Sequence, residues 1–236
     1  MSVTDQLNLL SQNQPKPLSI TDRVYEELYH RIINLALPPG SKLSEAEVAS
    51  QMGVSRQPVR DAFYRLSQAK LLMVRPQRAT IVMPISEEAV HEAIFIRAAL
   101  ELETVRAAIP VMTRERIAEL RENLKGQAAA CDAGDSESFH TLDEEFHRQI
   151  CAYSGHEQVW TLIQNNKAHM DRIRYLSLET GNARNAQQDH SAILDAIAAG
   201  DEERALEAMR GHIYRIAAIG SRIRNEYAEY FDMSIL

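Results

Sequence analysis

The chain lacks most of what marks a secreted, membrane-bound or disulfide-built protein. Its 236 residues hold two cysteines, Cys131 and Cys151, too few for a disulfide framework or a four-thiolate zinc site; 20 positions apart, they suit buried helix residues. No run approaches the roughly 18 to 20 apolar residues of a membrane helix. The opening Met1-Ser2-Val3-Thr4-Asp5 offers neither a basic n-region nor an apolar core, so a cytoplasmic protein without membrane attachment is expected. Proline is nearly missing after residue 84: seven of eight fall within the first 84 residues and only Pro110 follows, leaving the second part free to form long helices. A basic excess is missing too. Lys and Arg number 26 against 33 Asp and Glu, a net charge of -7 that, taken whole, argues mildly against a nucleic-acid partner.

Counted by segment, the charge tells a different story. Residues 16 to 84 carry ten basic and six acidic side chains; residues 85 to 236 carry 16 and 26. Such asymmetry suggests two domains with different partners. The expected division is a polar tail over 1–18, a first domain over 19–84 and a second over 85–236.

In the first domain Val24, Leu28, Ile32 and Leu35 recur at helical spacing behind Thr21, the expected N-cap, until Pro38-Pro39-Gly40 stops the run. Ser44-Glu45-Ala46-Glu47 has the pattern of a capping box opening a short second helix. After the turn Met52-Gly53-Val54, Ser55 caps a third helix with an apolar stripe of Val59, Ala62, Phe63 and Leu66. Arg56, Gln57, Arg60 and Tyr64 then face away from the core. Two Arg and a Gln near a helix N-terminus suit major-groove readout: guanidinium to guanine, amide to adenine, backbone to phosphate. Two β-prone runs, 72–75 and 80–83, flank Pro76-Gln77-Arg78-Ala79 as a hairpin with Arg75 and Arg78 near its tip. The sum is a winged helix-turn-helix that contacts double-stranded DNA.

The stretch Leu37-Pro38-Pro39-Gly40-Ser41-Lys42-Leu43-Ser44-Glu45, with Gly53-Val54-Ser55-Arg56-Gln57-Pro58-Val59-Arg60-Asp61-Ala62, resembles the DNA-binding domain of the GntR family of bacterial transcription regulators. The resemblance implies operator contacts from Arg56 and Arg60, a phosphate contact from Ser55 and a minor-groove contact from the hairpin tip. Gln57, where the family often has Thr, and Arg78-Ala79, where the wing often has Gly, bear on which operator is read.

The second domain is expected to be an antiparallel bundle of six helices, near 86–109, 113–132, 135–153, 156–178, 184–199 and 201–228. Asp143 and His147 lie at i and i+4 on one face; His190 and His212 sit at or beside core-facing stripes. Three imidazoles and a carboxylate suit Zn, with Ni, Mn or Fe as alternatives, though spacing alone leaves hydrogen-bonded core histidines equally open. His30, His91, His140, His156 and His169 are expected as surface or capping groups. Arg97-Ala98-Ala99-Leu100-Glu101, Asp143-Glu144-Glu145-Phe146-His147, His190-Ser191-Ala192-Ile193-Leu194 and His212 resemble the FadR C-terminal (FCD) domain, and six helices resemble its VanR subgroup. That resemblance implies a divalent metal on Asp143, His147, His190 and His212, and a small organic acid as effector. Arg97 is its first expected anchor, with Asn166, Arg172 and Arg174 behind it. The expected protein is a homodimeric regulator, a repressor in the first instance, on a palindromic operator. A metal-dependent hydrolase and a structural zinc bundle, each with an appended DNA-binding domain, are the alternatives; no HExxH pattern supports the hydrolase.

Overall fold

The computed structural model describes residues 18–75, 79–179 and 181–235. The winged helix is α1 (Ile20–Ile33), β1 (Lys42–Leu43), α2 (Glu45–Met52), α3 (Arg56–Gln68), β2 (Leu72–Met73) and β3 (Thr80–Val82). Its sheet runs β1-β3-β2, antiparallel throughout, with Lys42 opposite Ile81 and Leu72 opposite Val82. The strand β1, hidden in the loop after Pro38-Pro39-Gly40, was not anticipated. Ser19 rather than Thr21 caps α1, in a reciprocal capping box with Asp22. Ser44 and Ser55 do occupy N-cap positions, but neither hydroxyl bonds the helix backbone, so the box expected at Ser44 and Glu47 does not form. Gly53 closes α2 in the left-handed conformation, which a side chain would strain. Residues 1–17 of the tail expected over 1–18, and the wing tip, Arg78 included, lie outside the described residues.

The bundle follows as α4 (Glu87–Ala108), α5 (Arg114–Ala133), α6 (Ser136–Tyr153), α7 (Glu157–Gln164), α8 (Ala168–Glu179), α9 (Ala183–Ala199) and α10 (Glu202–Glu226). Two 3-10 turns, Ala228–Phe231 and Met233–Ile235, come after it. Five helices fall within two residues of expectation. The expected count of six bundle helices needs correction, since the fourth span, 156–178, is two helices. Asn165 and Asn166 end α7, and the Asn166 amide donates to the Leu162 carbonyl at 2.8 Å, satisfying an acceptor the helix would otherwise have bonded itself. With seven bundle helices described, the helix count no longer supports the VanR resemblance.

Apolar residues of α4, α8, α9 and α10, among them Ile94, Val105, Ile173, Ile193, Ile197, Met209 and Ile213, form the bundle core. The winged-helix core of Val24, Leu28, Ile32, Val59, Phe63 and Leu66 takes in one buried bundle residue, Ala168 at the start of α8, with Tyr175 packed against it.

Candidate metal centre and nucleic-acid interface

The apolar stripe of α3 turns inward as expected: Val59, Ala62 and Leu66 are fully buried. Ser55, Arg56, Gln57 and Arg60 are consequently exposed along its N-terminal half. Two are already engaged locally. The Gln57 amide donates to Asp61 at 2.8 Å, and Arg60 grips Glu45 of α2 through Nη2 at 3.0 Å. Both links are on the surface, where an exposed pair holds weakly against a competing partner. Arg75 is partly buried just after β2, at the end of the first β-prone run, its Nε directed at Met73 Sδ at 3.3 Å.

Asp143 and His147 from α6, His190 from α9 and His212 from α10 come together in the bundle, each offering a ligand atom within 4.8 Å of the others. Asp143, His147 and His190 have almost no exposure. Each imidazole turns its Nδ1 outward to an oxygen: His147 to Glu101 Oε2 at 2.6 Å, His190 to Gln127 Oε1 at 2.8 Å, and His212 to Asp189 Oδ2 at 3.5 Å. A proton on Nδ1 leaves each Nε2 as a lone pair. His190 Nε2 lies 3.3 Å from His212 Nε2 and 3.5 Å from Asp143 Oδ1, and His147 Nε2 is buried without a hydrogen-bond partner. Only the His190–Gln127 contact is an aligned hydrogen bond, while His147 and His212 face their carboxylates by proximity; an oxygen beside the outer nitrogen of each imidazole is the arrangement that metal-binding histidines use. The acceptors are anchored in turn: Glu101 by Arg97 Nε at 2.5 Å, Gln127 through Asn123 at 2.8 Å, and Asp189 by Arg215 at 2.6 and 2.8 Å.

Electrostatics agree with this reading. Burial alone would raise Asp143, but Arg174 and the imidazoles hold its carboxyl well below the ordinary range. Burial drives His190 well down and His212 to about 4, so both stay neutral, the form that ligates. Glu101, Gln127 and Asp189 escaped the sequence reading. The spacing of Arg97 and Glu101, i and i+4, was the one local signal.

The four candidate effector residues separate. Arg97 and Arg174 line a small cavity of about 40 Å³ beside His212, and Arg97 Nη2 is buried without a partner. Arg174 Nη2 pairs with Asp143 Oδ2, while its Nη1 stands 3.5 Å from Glu144 and 3.9 Å from Asp171. Asn166 and Arg172 are corrections. Asn166 is exposed at the end of α7, and Arg172 is fully buried on another face of α8, away from the cavity. His140 and His169, expected at the surface, are buried too. A cleft of about 1000 Å³ lies elsewhere, between the domains, and is lined by Tyr25, Tyr29, Trp160 and Tyr175 among others.

An exposed, basic helix-turn-helix face joined to an all-helical domain defines a DNA-binding transcription regulator. The comparisons with known proteins agree. Residues 20–82 match the profile of bacterial regulatory proteins of the gntR family, and residues 92–215 match the FCD domain. The chain is 33% identical to the HTH-type transcriptional repressor RspR of Escherichia coli K12, over 98% of this chain and 99% of that one. It is 37% identical to an HTH-type regulator of Streptomyces ambofaciens, over 88% of each. Among solved structures, E. coli McbR/YncC superposes with a TM-score of 0.75 at 28% identity, covering 87% of this chain and 99% of that one. A GntR regulator from Rhodococcus sp. RHA1, with a TM-score of 0.71, shares the fold at 23% identity, over 86% and 99%. This chain belongs to the GntR family of transcription regulators, with an FCD domain, and is not an enzyme. No helix among the described residues is long and apolar enough to cross a membrane.

Proposed function

We propose that the protein is a homodimeric repressor that holds one divalent cation, Zn first and Ni, Mn or Fe as alternatives, on Asp143, His147, His190 and His212. A small organic acid bound beside it then modulates affinity for a palindromic operator. The observation that carries the reading is the convergence of one carboxylate and three imidazoles, each offering a ligand atom within 4.8 Å of the others, with an oxygen of Glu101, Gln127 or Asp189 beside each Nδ1. The cation would supply an electrophilic anchor for an anion. Arg174 has to release Asp143 when a cation takes its place, and Glu144 and Asp171 stand ready to receive it. Arg97, with one unpaired nitrogen, and the displaced Arg174 then offer planar donors to a carboxylate. On the DNA side, Ser55, Arg56, Gln57, Arg60 and Arg75, together with Arg78, carry operator contact. The repressor reading leans on RspR, named a repressor.

Metal analysis of the full chain, with a thermal-shift screen of small organic acids, tests this. The expected result is about one metal ion per chain, lost in His190→Ala, and saturable stabilisation by an acid that also releases operator DNA. Coupling of about 1 to 3 kcal/mol between the two sites is the ordinary range. Metal with no response to any acid would leave a structural metal bundle instead.

A further inference from the structure

The segment joining the domains, Met83-Pro84-Ile85-Ser86, has every backbone donor occupied. The Met83 N–H donates to Leu71 O at 2.9 Å, inside the winged helix. The Ile85 N–H donates to Tyr230 O at 2.8 Å, in the turn after α10, and the Ser86 N–H to His169 Nδ1 at 3.1 Å. Two of its carbonyls are taken by one side chain: Arg172 Nη2 donates to Met83 O at 2.9 Å and Nη1 to Pro84 O at 3.4 Å. Linkers between domains are ordinarily exposed and mobile, whereas Pro84 and Ile85 here are buried.

Arg172 is unusual in its own right. It is fully buried, among the described residues it pairs with no carboxylate, and both its Nη groups donate to the linker backbone, while its Nε is buried without a hydrogen-bond partner. A planar fork can span two successive carbonyls, which an ammonium cannot. The same helix reaches the ligand cluster. Arg174, two residues on and about 200° round the helix, pairs with Asp143, and Asp171 lies beside it. Ala168, one turn earlier, enters the winged-helix core. α8 thus grips the cluster on one side, and the linker and winged helix on another.

We propose that Arg172, with His169, is a positioning latch that carries the state of the Asp143–Arg174 cluster through α8 to the linker and so to the winged helix. A cation that draws Arg174 off Asp143 shifts or turns α8, and because Arg172 holds Met83 and Pro84 by their carbonyls, the linker moves with it. The transmission half rests on the metal reading above; the latch itself rests on contacts independent of any metal.

Hydrogen exchange at the Ile85 and Ser86 amides, followed by mass spectrometry on the full chain with and without Zn²⁺, separates the two. In metal-free protein Arg172→Met should exchange these amides about tenfold faster or more, since their opening is no longer resisted by the fork. Zn²⁺ uptake should stay at the wild-type level, because Arg172 does not touch the cluster. Adding Zn²⁺ should change linker exchange in wild type and leave it unchanged in Arg172→Met. Arg172→Lys keeps the charge and reaches one carbonyl; it should fall between the two, and serves if Arg172→Met does not fold. Linker exchange unaltered in both variants overturns the latch. Wild type that binds Zn²⁺ with no change in linker exchange overturns the transmission. Wild type that takes up no Zn²⁺ overturns the metal reading, and the latch is then decided by the metal-free comparison.

Discussion

His190 shows how much of the cluster belongs to residues that never touch its centre. Its Nδ1–H is directed by Gln127, itself fully buried and steadied by Asn123. Replacing Gln127 with Leu removes that acceptor at nearly constant volume and frees the imidazole to turn. Zinc affinity, measured by competition with a chromophoric chelator, should fall about 10- to 100-fold, the usual cost of losing an outer partner of a metal-bound histidine. Arg60 gives the corresponding expectation for DNA. Arg60→Ala should weaken operator binding roughly ten- to a hundredfold in a direct titration while leaving non-cognate DNA much less affected. That Asp143, His147, His190 and His212 could converge was legible in the sequence, because Asp143 and His147 declare a shared face by spacing, and His190 and His212 sit at apolar stripes. Their partners were hidden. Gln127 lies 63 positions from His190, and no periodicity links an acceptor to an imidazole on a different helix.

At the level of elements, α8 is the part the sequence reading missed. Apolar periodicity runs on through Asn165-Asn166-Lys167, so the break became visible only in the carbonyl that Asn166 satisfies. Once separate, α8 is short and almost wholly enclosed, and its histidine records that enclosure. Burial, with Arg172 and Lys70 nearby, draws His169 down to about 4 from an ordinary value near 6.5. The sign follows from linkage. The folded chain keeps His169 neutral and the unfolded chain takes up a proton below about pH 6.5, so stability is complete above that and declines toward pH 4. The decline can reach about 1.4 kcal/mol per pH unit. His140, His190 and His212 are displaced in the same direction, so the contribution is isolated by difference. Urea titrations of His169→Gln and wild type between about pH 4.5 and 6.5 should give a shallower pH slope for the variant. An equally steep slope would remove His169 from the balance.

Over the whole molecule, the net charge of -7 is the sum of two unlike domains. The acidic excess lies in the bundle, where Asp143, Glu144 and Asp171 are matched against Arg174 and Lys167. The two-domain plan and the long helices were legible because charge and proline both change at residue 84. The joint was not, because a buried linker reads like an exposed one when its partners lie 88 and 145 positions away. With Ala168 in the winged-helix core and Pro84 and Ile85 enclosed, the two domains share interior. Calorimetry should therefore show one cooperative transition, and Arg172→Met should split it or lower its sharpness.

The bond from Ile85 to Tyr230 has a further consequence, for the order in which the molecule is made. Nearly all the winged-helix core lies between residues 24 and 82, so that domain can fold while the bundle is still being synthesised. Its orientation cannot be set then. The linker waits first for α8 and then for the turn at Tyr230, so the nascent chain carries a finished DNA-reading head on a loose neck until Tyr230 has emerged.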